Sequence, residues 1–175
     1  MKSGKLPGFI LIAVVAVILI VADYPLGTEG KTVLLGRLCF SLGILLIGGL
    51  VFESFISGMI KKKKMSTGLL ISALAGIMIL LIGTWVLVSV GRDVASGHQI
   101  VVLTSCETTE VQGAFGILSY RNYIKGIDEN GESRQFRLSM KSADILEGCA
   151  EVELYCYEHI RRVISYEIPL KQGYD

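Results

Sequence analysis

Three long apolar runs fill the first half of the chain, and a two-residue alternation of apolar and polar positions marks much of the second. The runs extend from about Leu6 to Ala22, from Val33 to Ile60 and from Thr67 to Val90. A helix needs roughly 20 apolar residues to cross a hydrocarbon layer about 30 Å thick. The second and third runs clear that length. The first reaches it once Tyr24 is placed at the interface. Inside a bilayer the backbone has no water to bond, so each run is expected to be a helix, even where Val and Ile would favour a strand in water. The pattern predicts a membrane domain over residues 1–91, with helices near 6–24, 33–60 and 67–91.

After a polar exit at Arg92–Gly97 the period changes. Ile100–Leu103 and Phe115–Ile127 are rich in branched and aromatic residues. Glu132–Met140 alternates, with Phe136, Leu138 and Met140 on one face. Between them, Asp128-Glu129-Asn130-Gly131 is a hairpin signal, because Asn-Gly readily supplies positive φ values. Ser142–Glu147 reads as one helical turn with Ser142 as N-cap and Gly148 as its stop. Ala150–Tyr157 alternates again, turning Val152, Leu154 and Cys156 inward. Arg162–Ile168 is the last strand, with Ile164, Tyr166 and Ile168 on one side. The expected fold class is therefore a membrane α-helical protein with three transmembrane helices plus a small all-β domain at residues 98–170, an OB-like or SH3-like partly closed barrel.

Charge orients this arrangement. Residues 1–91 hold eight Lys/Arg and three acids, and residues 92–175 hold nine Lys/Arg and thirteen acids, so the net +1 is a cancellation between two halves. Basic residues in short loops mark the cytoplasmic side. Lys2 and Lys5 lie before the first helix, and Lys61, Lys62, Lys63 and Lys64 lie between the second and third. The loop from Asp23 to Thr32 has two acids and one Lys. These features place the N-terminus in the cytoplasm and residues 92–175 outside, in a multi-pass cell-membrane protein. The lysine run fixes topology, with anionic lipid headgroups as its sharper role. The first helix is expected to be a retained anchor rather than a cleaved signal, because Ile20, third back from Ala22, is not small. The acidic outer half would repel phosphates, so no nucleic-acid partner is expected.

Small residues recur on the helices. Gly36 and Gly43 lie seven apart on the second, Gly76 and Gly83 on the third, and Ser72 pairs with Gly76. Such faces let helices approach closely, within the chain or against another subunit. Arg37 and Glu53 are intramembrane charges near opposite ends of the second run, read first as snorkelling to the headgroups and second as a buried ion pair or partner contact.

Candidate chemistry is sparse. Cys39 is an apolar filler in the second helix, and Cys156 falls on an inward face. Cys106 and Cys149 sit at strand ends and are expected to form a disulfide in an oxidising compartment. Two histidines without a CxxC pair make a poor metal set. His159, in a turn at Tyr157-Glu158-His159, is read as a solvated turn residue, with catalytic base as the alternative, so no catalytic residue is assigned. No phosphate-binding glycine loop is present. The sequence therefore points to a non-enzymatic membrane accessory protein without a cofactor. Its partners would be membrane lipids and another membrane or extracytoplasmic protein, as in a secretion or transport complex. The alternatives are an immunity protein against a membrane-targeting toxin and a small oligomeric transporter or channel component.

Overall fold

The structure, a computed structural model, describes residues 5–62, 67–111 and 121–169. Residues 115–120 of the strand expected at Phe115–Ile127, and the residues Lys63 and Lys64, lie outside that range. The described elements run α1 (Lys5–Leu26), α2 (Val33–Lys62), α3 (Thr67–Ser96), β1 (Gln99–Val111), β2 (Arg121–Ile127), β3 (Ser133–Leu138), α4 (Met140–Leu146), β4 (Glu151–Tyr157) and β5 (Arg162–Glu167). They divide into two compact units, one made of residues 1–25 and 35–91, the other of 26–34 and 92–175. The loop between the first two helices thus belongs with the β domain.

Among the described residues, three stretches are long and apolar enough to cross a membrane: Gly8–Leu26, Val33–Ile60 and Thr67–Ser96. Most of their side chains face outward. Leu11, Ile18, Ile71, Leu81 and Trp85 are among the exposed large apolar residues. Contacts between the helices are made where side chains are small. A Cβ on Gly43 would lie 2.7 Å from the Ala16 carbonyl oxygen, and Ala16 is itself fully enclosed. Gly76 lies against the backbone of Phe52, and Gly83 against Leu45 and Ile44. The buried Ser41 hydroxyl donates to the Gly83 carbonyl at 2.9 Å, which adds a hydrogen bond to the packing of α2 on α3.

α3 runs past the expected exit. Arg92–Ser96 contains no breaker, and the helix stops at Gly97, whose φ of +76° suits a residue without Cβ and whose N–H donates to the Asp93 carbonyl at 2.9 Å.

The second unit is a closed barrel with strand order β1-β2-β3-β5-β4, rather than the partly closed form expected. All neighbours are antiparallel except β3 and β5. β1 serves two partners, pairing β4 from Gln99 to Thr104 and β2 from Thr104 to Val111, with a bulge between Thr104 and Glu107. Ser105 sits in that bulge at φ +53° and lets the strand bend from one neighbour to the other. Inside lie Leu103, Ile124, Phe136, Leu138, Leu146, Val152, Leu154, Cys156 and Val163.

Four local expectations are corrected. Met140 is 68% exposed because it opens α4 instead of closing β3. The N-cap of α4 is Ser139, whose hydroxyl accepts from the Ser142 N–H, so Ser142 lies inside the helix. Val163, not Ile164, enters the core of β5, because the β4–β5 register shifts between Tyr155 and Cys156 and inverts the alternation. At the β2–β3 hairpin Gly131 alone has positive φ, at +79°. Asp128 shapes the turn instead: its Oδ1 accepts from the N–H groups of Asn130 and Glu132 at 2.9 and 2.8 Å.

Candidate functional site

The polar groups of the second unit gather at three places on the barrel. The first is the β4–β5 turn. Asp93, on the last turn of α3, is fully buried, and its carboxylate accepts three hydrogen bonds. Oδ1 takes the His159 backbone N–H at 3.0 Å and lies 2.8 Å from His159 Nδ1, and Oδ2 takes the Ile160 N–H at 2.9 Å. A buried carboxylate needs such donors to offset its lost hydration. With Nδ1–H donated to Asp93, the ring would keep Nε2 as an acceptor. His159 is exposed, as a solvated turn residue would be, and its ring is also held by Asp93. Among the described residues no hydroxyl or thiol is hydrogen-bonded to it, and no group of three or more His, Cys, Asp or Glu side chains is placed to hold a metal.

The second place is the corner where β3 meets α4. Glu29, from the α1–α2 loop, reaches the start of α4. Its Oε2 accepts the Ser139 N–H at 2.9 Å and its Oε1 the Ser142 hydroxyl at 2.8 Å. One residue on, the Gly30 N–H donates to the Val163 carbonyl of β5 at 3.1 Å. Gly30 has φ +93°, a conformation open to glycine at little cost.

The third is a cleft of about 200 Å³ between β3 and the β4–β5 turn, lined by Glu132, Arg134, Gln135, Phe136, Glu158 and Arg161 among others. Arg134 Nε meets Asp128 Oδ2 at 2.7 Å, while its other nitrogens stand 3.7 Å from Glu132 and 3.5 Å from Glu158. Burial pushes the Asp128 carboxyl upward, but the Glu132 and Asn130 N–H groups and the Arg134 guanidinium outweigh it and hold the carboxyl below its ordinary value. Arg161, exposed at φ +51°, forms the far edge of the cleft. A non-glycine residue there carries strain. No ion pair to Arg161 occurs among the described residues.

The residues singled out in the sequence are scattered rather than assembled into one site. Cys106 and Cys149 are free thiols, which corrects the expected disulfide. Each turns toward a carbonyl of its own segment, Cys106 Sγ to Leu103 O at 3.3 Å and Cys149 Sγ to Ile145 O at 3.9 Å. Burial, and then the nearby Cys149 sulfur, push the Cys106 thiol up. Burial likewise drives Cys156 up to about 12. Arg37 lies 3.5 Å from Asp23 and over the Phe40 ring at 5.6 Å, an ion pair between the end of α1 and the first turns of α2. Glu53 is exposed on α2. Gly36 is buried and Ser72 half-buried, with the Ser72 hydroxyl donating to the Leu69 carbonyl at 2.9 Å. Lys61 and Lys62 end α2.

Sequence reasoning missed Glu29, Asp93 and Arg134. Glu29 and Asp93 act on groups 110 and 66 residues away, beyond any local spacing. The cross-strand setting of Arg134 near Asp128 follows from the hairpin, and that pair was open to inference once the turn was placed. Comparison with family models, with curated proteins and with solved structures finds no match to this chain.

Proposed function

We propose that this protein is a non-enzymatic accessory protein of the cell membrane that displays a partner-binding barrel on the extracytoplasmic side. One observation carries the placement. Residues 26–34 and 92–175 fold as one compact unit, so the first loop and the barrel belong on the same side of any membrane the helices cross. Lysine placement supports the exterior as that side. The barrel is read as OB-like rather than SH3-like. Its strand order, its helix between β3 and β4 and its parallel β3–β5 neighbours support that choice.

The cleft beside the β4–β5 turn is the proposed docking place. Its lining includes Arg161 and the loosely held carboxylates of Glu132 and Glu158, so it suits a protein surface bearing both signs of charge. Arginine at a cleft edge is a common anchor in interfaces. A subunit of a secretion or transport complex fits this reading, as does a membrane-bound immunity protein. The test is crosslinking and copurification from mild detergent. A partner recovered with the native chain and lost with Arg161→Glu supports the proposal; a protein that stays monomeric and partner-free counts against it.

A second reading rests on Glu53. A carboxylate exposed on an apolar helix is a functional candidate by default. Oligomers would turn it toward a shared pore and make the protein a transporter or channel component. Liposome flux that disappears in Glu53→Gln would favour this reading; absence of both flux and oligomers would remove it.

A further inference from the structure

The barrel closes unevenly. β1 and β2, β2 and β3, and β4 and β5 share ladders of several residues, whereas β3 and β5 meet at a single register pair, Arg137 with Arg162. One bond at that seam is long, Arg137 N–H to the Arg161 carbonyl at 3.4 Å. A short parallel pairing is the weak side of such a barrel, because its ladder is one register pair long and parallel pairing is slightly less stable per residue. The α1–α2 loop lies over this seam and holds both strands. Gly30 N–H bonds Val163 on β5, and Glu29 bonds Ser139, the residue that follows β3. The loop is braced for the task. The Thr32 hydroxyl donates to the Leu26 carbonyl at 3.0 Å, the Val33 N–H donates to the Gly30 carbonyl at 3.2 Å, and the Val33 side chain is fully buried.

We propose that residues 26–34 are a strap that keeps the barrel shut at the β3–β5 seam, that Glu29 is its latch, and that the seam is where the barrel opens. The chemistry of the latch is specific. The carboxylate has two oxygens, and it gives one to a backbone N–H and the other to a hydroxyl. The next residue must then turn its N–H onto β5, and a positive φ achieves this. A Glu-Gly pair supplies both needs. When the strap lifts, the β3 and β5 edges lose their cover.

The test is hydrogen exchange on the full chain in detergent micelles, read at the Arg137 amide. That amide touches neither Glu29 nor Gly30. The double variant Glu29→Ala with Gly30→Pro should raise Arg137 exchange about tenfold or more while leaving the Leu103 and Leu154 amides protected. Glu29→Gln, which keeps the shape of the side chain, should give a smaller rise of the same pattern. A peptide copying residues 26–33, added to the double variant, should restore protection at Arg137, and the same peptide with Gln for Glu should restore less. Unchanged exchange at Arg137 would mean that the loop rides on the barrel without holding it. A uniform rise across all strands would mean general destabilisation. Either result overturns the proposal.

Discussion

Leu103, Ile124, Val152, Leu154 and Val163 are enclosed in the barrel, whereas Leu11, Ile18, Ile71, Leu81 and Trp85 face outward from the helices. The same residue types are thus used in opposite ways. The barrel draws stability from removing apolar surface from water. The helices hold together through small residues and a buried hydroxyl, and they keep their apolar surface for the surroundings. The difference is the one expected of two units suited to different solvents, so a substitution should have an effect set by its unit.

The largest expected contrast is in truncation of leucine. Leu154→Ala should destabilise the barrel by about 2–5 kcal/mol, since it removes a fully buried side chain. Leu74→Ala, on an outward helix face, should stay within about 0.5 kcal/mol. Exchange-detected unfolding in micelles measures both; equal losses would break the comparison.

Charge sharpens it next. Leu81 lies outward at the middle of α3. Leu81→Arg should oppose membrane insertion by about 2.5–3.5 kcal/mol. Normal insertion yield in a translocation assay would mean that this face does not meet lipid.

Helix packing gives a smaller effect. Gly43→Ala would push a Cβ against the Ala16 carbonyl oxygen and should cost about 1–3 kcal/mol in helix association. Gly49→Ala has open space around it and should be neutral. Thermal unfolding in detergent distinguishes the two; identical melting would contradict the packing described.

The smallest effect is a pH dependence confined to the hairpin. The Asp128 carboxyl is held below its ordinary value, so its contribution is present above the unfolded pKa of about 3.9 and is lost as pH falls through the lower folded value. Acid titration of the native chain should loosen the turn in that window. Asp128→Asn should flatten the dependence there; a variant with the native acid profile would show that other carboxylates cause it.

Much of this contrast was legible in the sequence, and for a physical reason. Continuous apolar runs and the alternation of Val152, Leu154 and Cys156 are local periodicities, and each is fixed by the geometry of one element. What failed was anything set by neighbours. Ile164 follows the alternation of its strand, yet the bulge against β4 turns Val163 inward. Ser142 looks like a cap, yet the helix begins one turn earlier because Ser139 holds it. Cys106 and Cys149 share a neighbourhood but not a bond, since each sulfur is turned to its own chain. Glu29 and Asp93 carry no local signal, because their partners are brought to them by the fold alone.

The central proposal is that the α1–α2 loop and the barrel share the outer side while the α2–α3 loop lies inside. The exposed residues Lys31, Lys125 and Lys141 report on the first two, and Lys61–Lys64 on the third. Sealed cells treated with a membrane-impermeant amine reagent, followed by peptide mapping, test it directly. The account predicts modification of Lys31, Lys125 and Lys141 in sealed cells, and of Lys61–Lys64 only after permeabilisation. Protection of Lys31 while Lys125 reacts, or reaction of Lys61–Lys64 in sealed cells, would contradict it.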